Sequence, residues 1–351
     1  MQNRTPESSR TSSPEKPPPE SNKPAFIKTL VIKKEFGIFV LLVFLCAVTG
    51  LKNHAFFSEA NLSNTANLIG LFGIFSIGAG MIIITGGIDL SVGSMIALNG
   101  MLLVMALTDW HWPWPLGVAF ALAVPMCLGY AHGLLITRFN MQPFIVTLCG
   151  LLLYRGIARF ISNDTTKGFG DAAGFTTLQR LANGDFLGLP MPFVILIIIS
   201  IIMWIVLHRS IYGRYLLAVG HNEEATRFSG VNTRRVIASS YVLGGLLTGT
   251  SGILFAFYTN SVSPSTHGNF YELYGIAAAV LGGCSLRGGE GSVIGVLIGT
   301  ALLLVLQNLV NLLNIPSSLN FAVMGAVVLI GVLADRILKN RAARKIARPP
   351  K

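Results

Sequence analysis

Residues 190–208 read Pro-Met-Pro-Phe-Val-Ile-Leu-Ile-Ile-Ile-Ser-Ile-Ile-Met-Trp-Ile-Val-Leu-His, with no acidic residue, lysine or arginine among them. As a helix, a run of about 20 such residues spans the roughly 30 Å hydrocarbon layer of a bilayer. The run is too long for a transmembrane strand and does not alternate as one would. Comparable runs occur at 36–51, 61–85, 90–108, 114–137, 142–162, 237–259, 272–285, 291–313 and 317–335. The pattern predicts an all-α polytopic membrane protein with about ten transmembrane helices. Some of these are expected to be short or broken, above all 272–285.

Composition agrees. Of the 351 residues 52% are hydrophobic and only 12% charged, about half the charge of an ordinary soluble domain. That excludes a soluble enzyme. The net charge of +11 divides into +3 over 1–35, +1 over 36–335 and +7 over 336–351. A nucleic-acid-binding face would concentrate such charge on a folded surface; here it flanks apolar segments, so no nucleic-acid partner is expected. With the N-terminus inside and ten crossings, the inside segments are 1–35, 86–89, 138–141, 209–236, 286–290 and 336–351. They hold 21 of the 26 Lys/Arg, and the outside loops 52–60, 109–113, 163–189, 260–271 and 314–316 hold only Lys52, Lys167 and Arg180. This bias places both termini in the cytoplasm.

Three parts follow: a Pro-rich, disordered cytoplasmic tail over 1–35, a transmembrane domain over 36–335, and a basic cytoplasmic tail over 336–351. Six of the sixteen prolines fall in residues 1–24, and no apolar signal-peptide core precedes residue 36. Trp110, Trp112 and Trp114 suit a headgroup belt between two spans. Cys46, Cys127, Cys149 and Cys284 stand singly in apolar stretches, which predicts neither disulfides nor a metal site.

The longest inside connection, 209–236, carries the clearest local signal. Asn222 is placed to cap a short helix, with Glu223 and Glu224 in its first turn and Gly230 at its end. Ala225, Phe228 and Val231 form an apolar face beside Arg227, Arg234 and Arg235. Such a helix suits a groove on a partner protein or the lipid headgroups equally well.

Within it, Ala218-Val219-Gly220-His221-Asn222-Glu223-Glu224-Ala225-Thr226-Arg227-Phe228-Ser229-Gly230-Val231 resembles the ATPase-coupling loop of the ribose-type ABC sugar permeases. Gly86-Gly87-Ile88-Asp89-Leu90-Ser91-Val92-Gly93-Ser94 resembles that family's most recognisable motif. Gln142-Pro143-Phe144-Ile145-Val146-Thr147-Leu148 and Gly288-Gly289-Glu290-Gly291-Ser292-Val293-Ile294-Gly295 are similar to two others, and the resemblance runs over about 36–335. Thr226 departs from it, standing where the family commonly has Ala, and the Pro-rich tail is longer than usual.

The resemblance implies the membrane subunit of a binding-protein-dependent monosaccharide importer in the bacterial inner membrane. A second permease copy, a cytoplasmic ATP-binding subunit and a periplasmic sugar-binding protein would be its partners. It implies coupling to the ATPase through Gly220, Asn222, Glu223, Glu224, Ala225, Phe228, Ser229 and Gly230. The chain contains no G-x-x-x-x-G-K-[ST] phosphate loop. ATP and Mg are therefore expected on the partner, with no cofactor and no catalytic residue here.

Asp89 is the sharpest candidate within the membrane region, since an intramembrane acid marks a pathway or a relay. Its alternative role is to cap the following span with help from Ser91. Asn99, Gln142, Thr147, Gln307, Asn308 and Asn311 offer the uncharged donors and acceptors that a sugar needs, though such residues also serve as glue between helices. Asp89, Ser91, Asn99, Gln142, Thr147 and Asn308 form the candidate substrate path. Gly282-Gly283, Gly288-Gly289-x-Gly291 and Gly295-x-x-x-Gly299 point to close helix packing and a sharp turn. A secondary transporter, or a permease for a branched-chain amino acid, is the competing reading. Asp89 and Glu272 are the only acids that could serve an ion-coupled pathway.

Overall fold

The computed structural model describes residues 34–170 and 175–316, with isolated positions between 319 and 333. The Pro-rich tail before residue 34, the span expected at 317–335 and the basic tail 336–351 lie outside the described residues, apart from those positions. The expected runs otherwise become helices: α1 (Lys34–Lys52), α2 (Glu59–Ile84), α3 (Val92–Thr108), α4 (Trp114–Arg138) and α5 (Pro143–Ile161), then a short α6 (Thr176–Asn183). After it come α7 (Met191–His208), α8 (Ile211–His221), α9 (Glu223–Phe228), α10 (Thr233–Thr259), α11 (Tyr271–Leu281) and α12 (Val293–Leu312). Among the described residues six helices, α2, α4, α5, α7, α10 and α12, are long and apolar enough to cross a membrane; α1, α3 and α11 are shorter apolar helices.

Helix α2 lies at the centre and α10 beside it. Leu71, Ile74, Phe75 and Ile77 of α2 and Leu254, Phe255 and Phe257 of α10 share one core. With no hydrophobic drive between helices in lipid, close packing of small residues takes over. A Cβ at Gly129 or Gly245 would lie 2.2 Å from a carbonyl oxygen of the facing helix, Tyr241 O and Pro125 O respectively. Helices α4 and α10 therefore touch backbone to backbone. In the same way Gly282 abuts Gly295, and Gly299 abuts Ala278, joining α11 to α12 as the glycine spacing predicts.

The connections sort into two ends. At one, Lys167 pairs with Asp109, β1 (Lys167–Gly168) pairs antiparallel with β4 (Ser261–Val262), and Asn53 Nδ2 donates to Leu312 O at 3.2 Å. Lys167 holds the Asp109 carboxyl below the usual carboxylate range. A small hairpin of β2 (Asp185–Phe186) and β3 (Leu189–Pro190) belongs to this end too. At the other end Thr147 reaches Ile88 O at 3.3 Å, and Gly289 N–H donates to Ile84 O at 2.8 Å. These two groups gather connections that were expected on opposite sides of the membrane.

One outside loop departs from expectation. Residues 263–268 of the connection 260–271 turn inward, and a Cβ at Gly93 would lie 2.1 Å from Gly268 O. Gly93 stands fifteen residues from Thr108, roughly 22 Å along α3. The loop is thus re-entrant, and α11 is a half-length helix starting deep in the protein. The run 272–285 is short for this reason.

Candidate functional site

The chain breaks after α2 because Gly86 and Gly87 follow it, and Gly86 adopts φ +82°, a conformation that favours glycine. Residues 85–91 then run without helix until Val92. Asp89 is only 5% exposed and holds this stretch: its Oδ1 accepts from the Ser91 backbone N–H at 2.8 Å and from Ser91 Oγ at 2.6 Å. It is a turn brace two residues ahead of the cap position, which Ser91 occupies, rather than the helix cap itself. Both bonds fall on one carboxylate oxygen, so the other is not needed to hold the turn.

Around Asp89 stand groups from three other helices. Tyr154 of α5 and His132 of α4 share a hydrogen bond of 2.7 Å, and Tyr241 of α10 donates to Ile88 O at 3.4 Å. The His132 ring also meets Tyr241 edge-on, with centroids 6.4 Å apart. Thr147 also approaches, its hydroxyl shared between Pro143 O at 2.9 Å and Ile88 O. Next to this cluster lies the re-entrant loop. Arg155 Nη1 donates to Pro264 O at 3.2 Å and His267 O at 2.7 Å, fixing the loop's depth. The buried Glu272 carboxylate sits over Gly93, 2.4 Å from where a Cβ would be, and so faces the positive end of α3. The start of the half-length α11 therefore lies beside the start of α3, the arrangement by which broken helices present backbone groups to a solute.

The inside connection is a jointed arm. Asn222 ends α8, its N–H donating to Ala218 O at 3.0 Å, and starts α9, its Oδ1 accepting from Ala225 N–H at 2.9 Å. Gly230 at φ +85° closes α9: its N–H donates to Arg227 O, and the Val231 N–H donates to Thr226 O, a helix-ending pattern that favours glycine. Thr226 is the residue that anchors α9. It is 8% exposed and bonds Asn222 O at 2.8 Å, while Glu223 accepts from the Thr233 hydroxyl at 3.0 Å. Glu224, Ala225, Phe228 and Ser229 face outward, with Phe228 80% exposed. Val231 is half-buried against the core and does not join that face. Gly220 lies at the root of the arm, where a Cβ would come within 1.8 Å of Ile84 O.

The family model described as "Branched-chain amino acid transport system / permease component" matches residues 61–332. The chain belongs to this permease family. It is 36% identical to the ribose import permease protein of Bacillus subtilis, over 87% of this chain and 94% of that one. It is also 36% identical to the ribose import permease protein of Escherichia coli K12, over 90% and 97% respectively. The fructose import permease protein of Rhizobium meliloti is 31% identical, over 87% of this chain and 86% of that protein. No solved structure matches the chain.

Of the six path residues named from sequence, the permease brings Asp89, Ser91 and Thr147 together. Asn99 lies two turns further along α3, its amide donating to Gly249 O at 2.9 Å and its Oδ1 buried without a partner. Gln142 is exposed at the start of α5. Asn308 binds Asn61 at 2.8 Å and Thr65 at 2.9 Å, joining α12 to the first turns of α2. Thr65 is nineteen residues from Ile84, roughly 28 Å along the helix, so Asn308 is at the opposite end from Asp89. Sequence reasoning missed Tyr154 and Tyr241. Their only signal was a hydroxyl within an apolar run.

Proposed function

We propose that this permease, a multi-pass protein of the bacterial inner membrane, carries a monosaccharide of the ribose or fructose class in an ABC importer. The observation that carries this reading is the jointed arm: a short capped helix standing off the protein, anchored by Thr226 and presenting Ala225, Phe228 and Ser229 outward. A second copy completes the pore, cytoplasmic ATP-binding subunits holding ATP and Mg receive α9, and a periplasmic sugar-binding protein delivers the solute at the opposite end. Asp89, Ser91, Thr147 and Asn99 line the path, while Gln142 and Asn308 lie towards its two ends. Asp89 is engaged by Ser91 and Arg155 by two carbonyls. The neighbouring hydroxyls of Ser91, Thr147, Tyr154 and Tyr241 and the amide of Asn99, beside the buried Glu272 carboxylate, suit a neutral polyol.

The family description favours a second reading, a branched-chain amino acid. Uptake of labelled ribose, fructose and leucine by cells expressing the permease with its ATPase and binding protein separates them; leucine uptake alone would replace the sugar reading. Ala225→Trp tests the arm. It should leave the permease inserted but abolish solute-stimulated ATP hydrolysis by the reconstituted complex. Glu224→Gln should do little, because an exposed rim charge contributes only about 0–1 kcal/mol.

A further inference from the structure

We infer that the contact among Gly220-His221, Ile84 and the turn Gly288-Gly289 is the joint through which movement of the α9 arm reaches the Asp89 stretch. This rests on the coupling role proposed above for α9 and adds where the movement goes. Three segments more than sixty residues apart in sequence meet there, backbone against backbone at Ile84, Gly220 and Gly289. The last carbonyl of α2, Ile84 O, has no continuing helix to satisfy it. It accepts instead from Gly289 N–H at 2.8 Å. The end of α8 crosses directly over that bond, for a Cβ at Gly220 would lie 1.8 Å from Ile84 O and 2.4 Å from Gly289 N. Gly288 fits against both neighbours, with Gly220 O 2.7 Å and Gly86 N 2.9 Å from its own ideal Cβ. Close-packed backbones of this kind transmit displacement instead of absorbing it.

Each side of the joint is stiff. On the arm side Asn222 is the sole residue between α8 and α9 and bonds into both. The turn side is braced by Ser285 N–H to Glu290 O at 3.0 Å and Gly288 N–H to Ser285 O at 2.8 Å. Beyond Ile84 the chain changes character at once. Gly86, at positive φ, opens the non-helical run whose shape Asp89 holds through Ser91. A tilt of α9 thus pulls on Ile84, five residues from Asp89, and bends the chain at Gly86-Gly87. His221, Gly288 and Gly289 act as positioning residues for the path.

The test uses the complete transporter in proteoliposomes, with Gly289→Ala and His221→Ala. An alanine at 289 would sit 2.5 Å from His221 Nδ1 and 3.0 Å from its backbone, in a backbone conformation that disfavours a side chain. His221→Ala loosens the same contact without adding bulk. Sugar moved per ATP hydrolysed should fall about tenfold in the first variant and about threefold in the second. Binding of the ATPase and basal hydrolysis should persist, since neither residue lies on the exposed face of α9. A second readout separates transmission from general damage. Thiol labelling at Thr85→Cys, followed by mass spectrometry, should differ between nucleotide-free and vanadate-trapped parent complexes, and that difference should vanish in Gly289→Ala. Should Gly289→Ala fail to accumulate, His221→Ala decides alone, by the same two readouts. A transport-to-hydrolysis ratio within about twofold of the parent, or a labelling difference of undiminished size, overturns the joint. Failure of the coupling reading itself is distinguishable, because it shows as undiminished stimulated hydrolysis with Ala225→Trp.

Discussion

Asp89 braces its turn through Ser91, and the transport role proposed for it can be separated from that bracing by substitution. Asparagine keeps an acceptor for Ser91 and loses the charge, whereas alanine leaves a buried N–H and hydroxyl without their partner. Asp89→Ala should lower stability by about 1–3 kcal/mol, read as reduced abundance and melting temperature in detergent. Asp89→Asn should retain abundance yet lose most uptake. Normal uptake with Asn would restrict the carboxylate to bracing the turn. At this scale the sequence was partly legible. An acid after two glycines in an apolar region is conspicuous, so Asp89 could be found; Tyr154, Tyr241 and His132 lie within apolar runs where no local pattern singles them out. Their convergence is a property of three packed helices that no local spacing encodes.

Among the elements, α9 was the most legible, because its cap, acidic first turn and terminating glycine are local signals that the structure uses as written. Its apolar face was read too widely: Val231 turns into the core, and Phe228 is the exposed anchor. Phe228→Ala should weaken ATPase association by about 2 kcal/mol, the scale of an interface anchor, measured as co-purification at graded ATPase concentrations. The described residues of the connection 163–189 show the same division. Leu178 and Ala182 are buried beneath α6, and Asn183 donates to Phe257 O at 2.9 Å. Leu181, Phe186 and Leu187 remain exposed, Leu187 by 89%. A photo-crosslinker at the exposed Gln179 should capture the binding protein in a sugar-dependent manner; capture independent of sugar, or none, would make this segment a lid alone. The re-entrant loop was illegible, since Ser263, Ser265, Thr266, His267 and Asn269 look like an ordinary surface connection. Arg155, Phe255 and the glycines Gly93 and Gly100, distant in sequence, help to hold it inside.

For the whole molecule, hydropathy outlined the helices, because it follows from the bilayer acting on local composition. The joint between α2, α8 and the 288–289 turn depends on glycines some 200 residues apart, and a glycine's sequence context does not say which backbone it will meet. A two-ended permease with an ATPase arm at one end and a delivery surface at the other predicts a strict energetic dependence. The most direct test is solute accumulation by proteoliposomes containing the permease and its ATPase, with the binding protein and labelled sugar on the opposite side from the 209–236 loop. Accumulation should require ATP on the side of that loop and be indifferent to collapse of proton and sodium gradients. Accumulation that proceeds without ATP and stops when an ion gradient is collapsed would contradict the account.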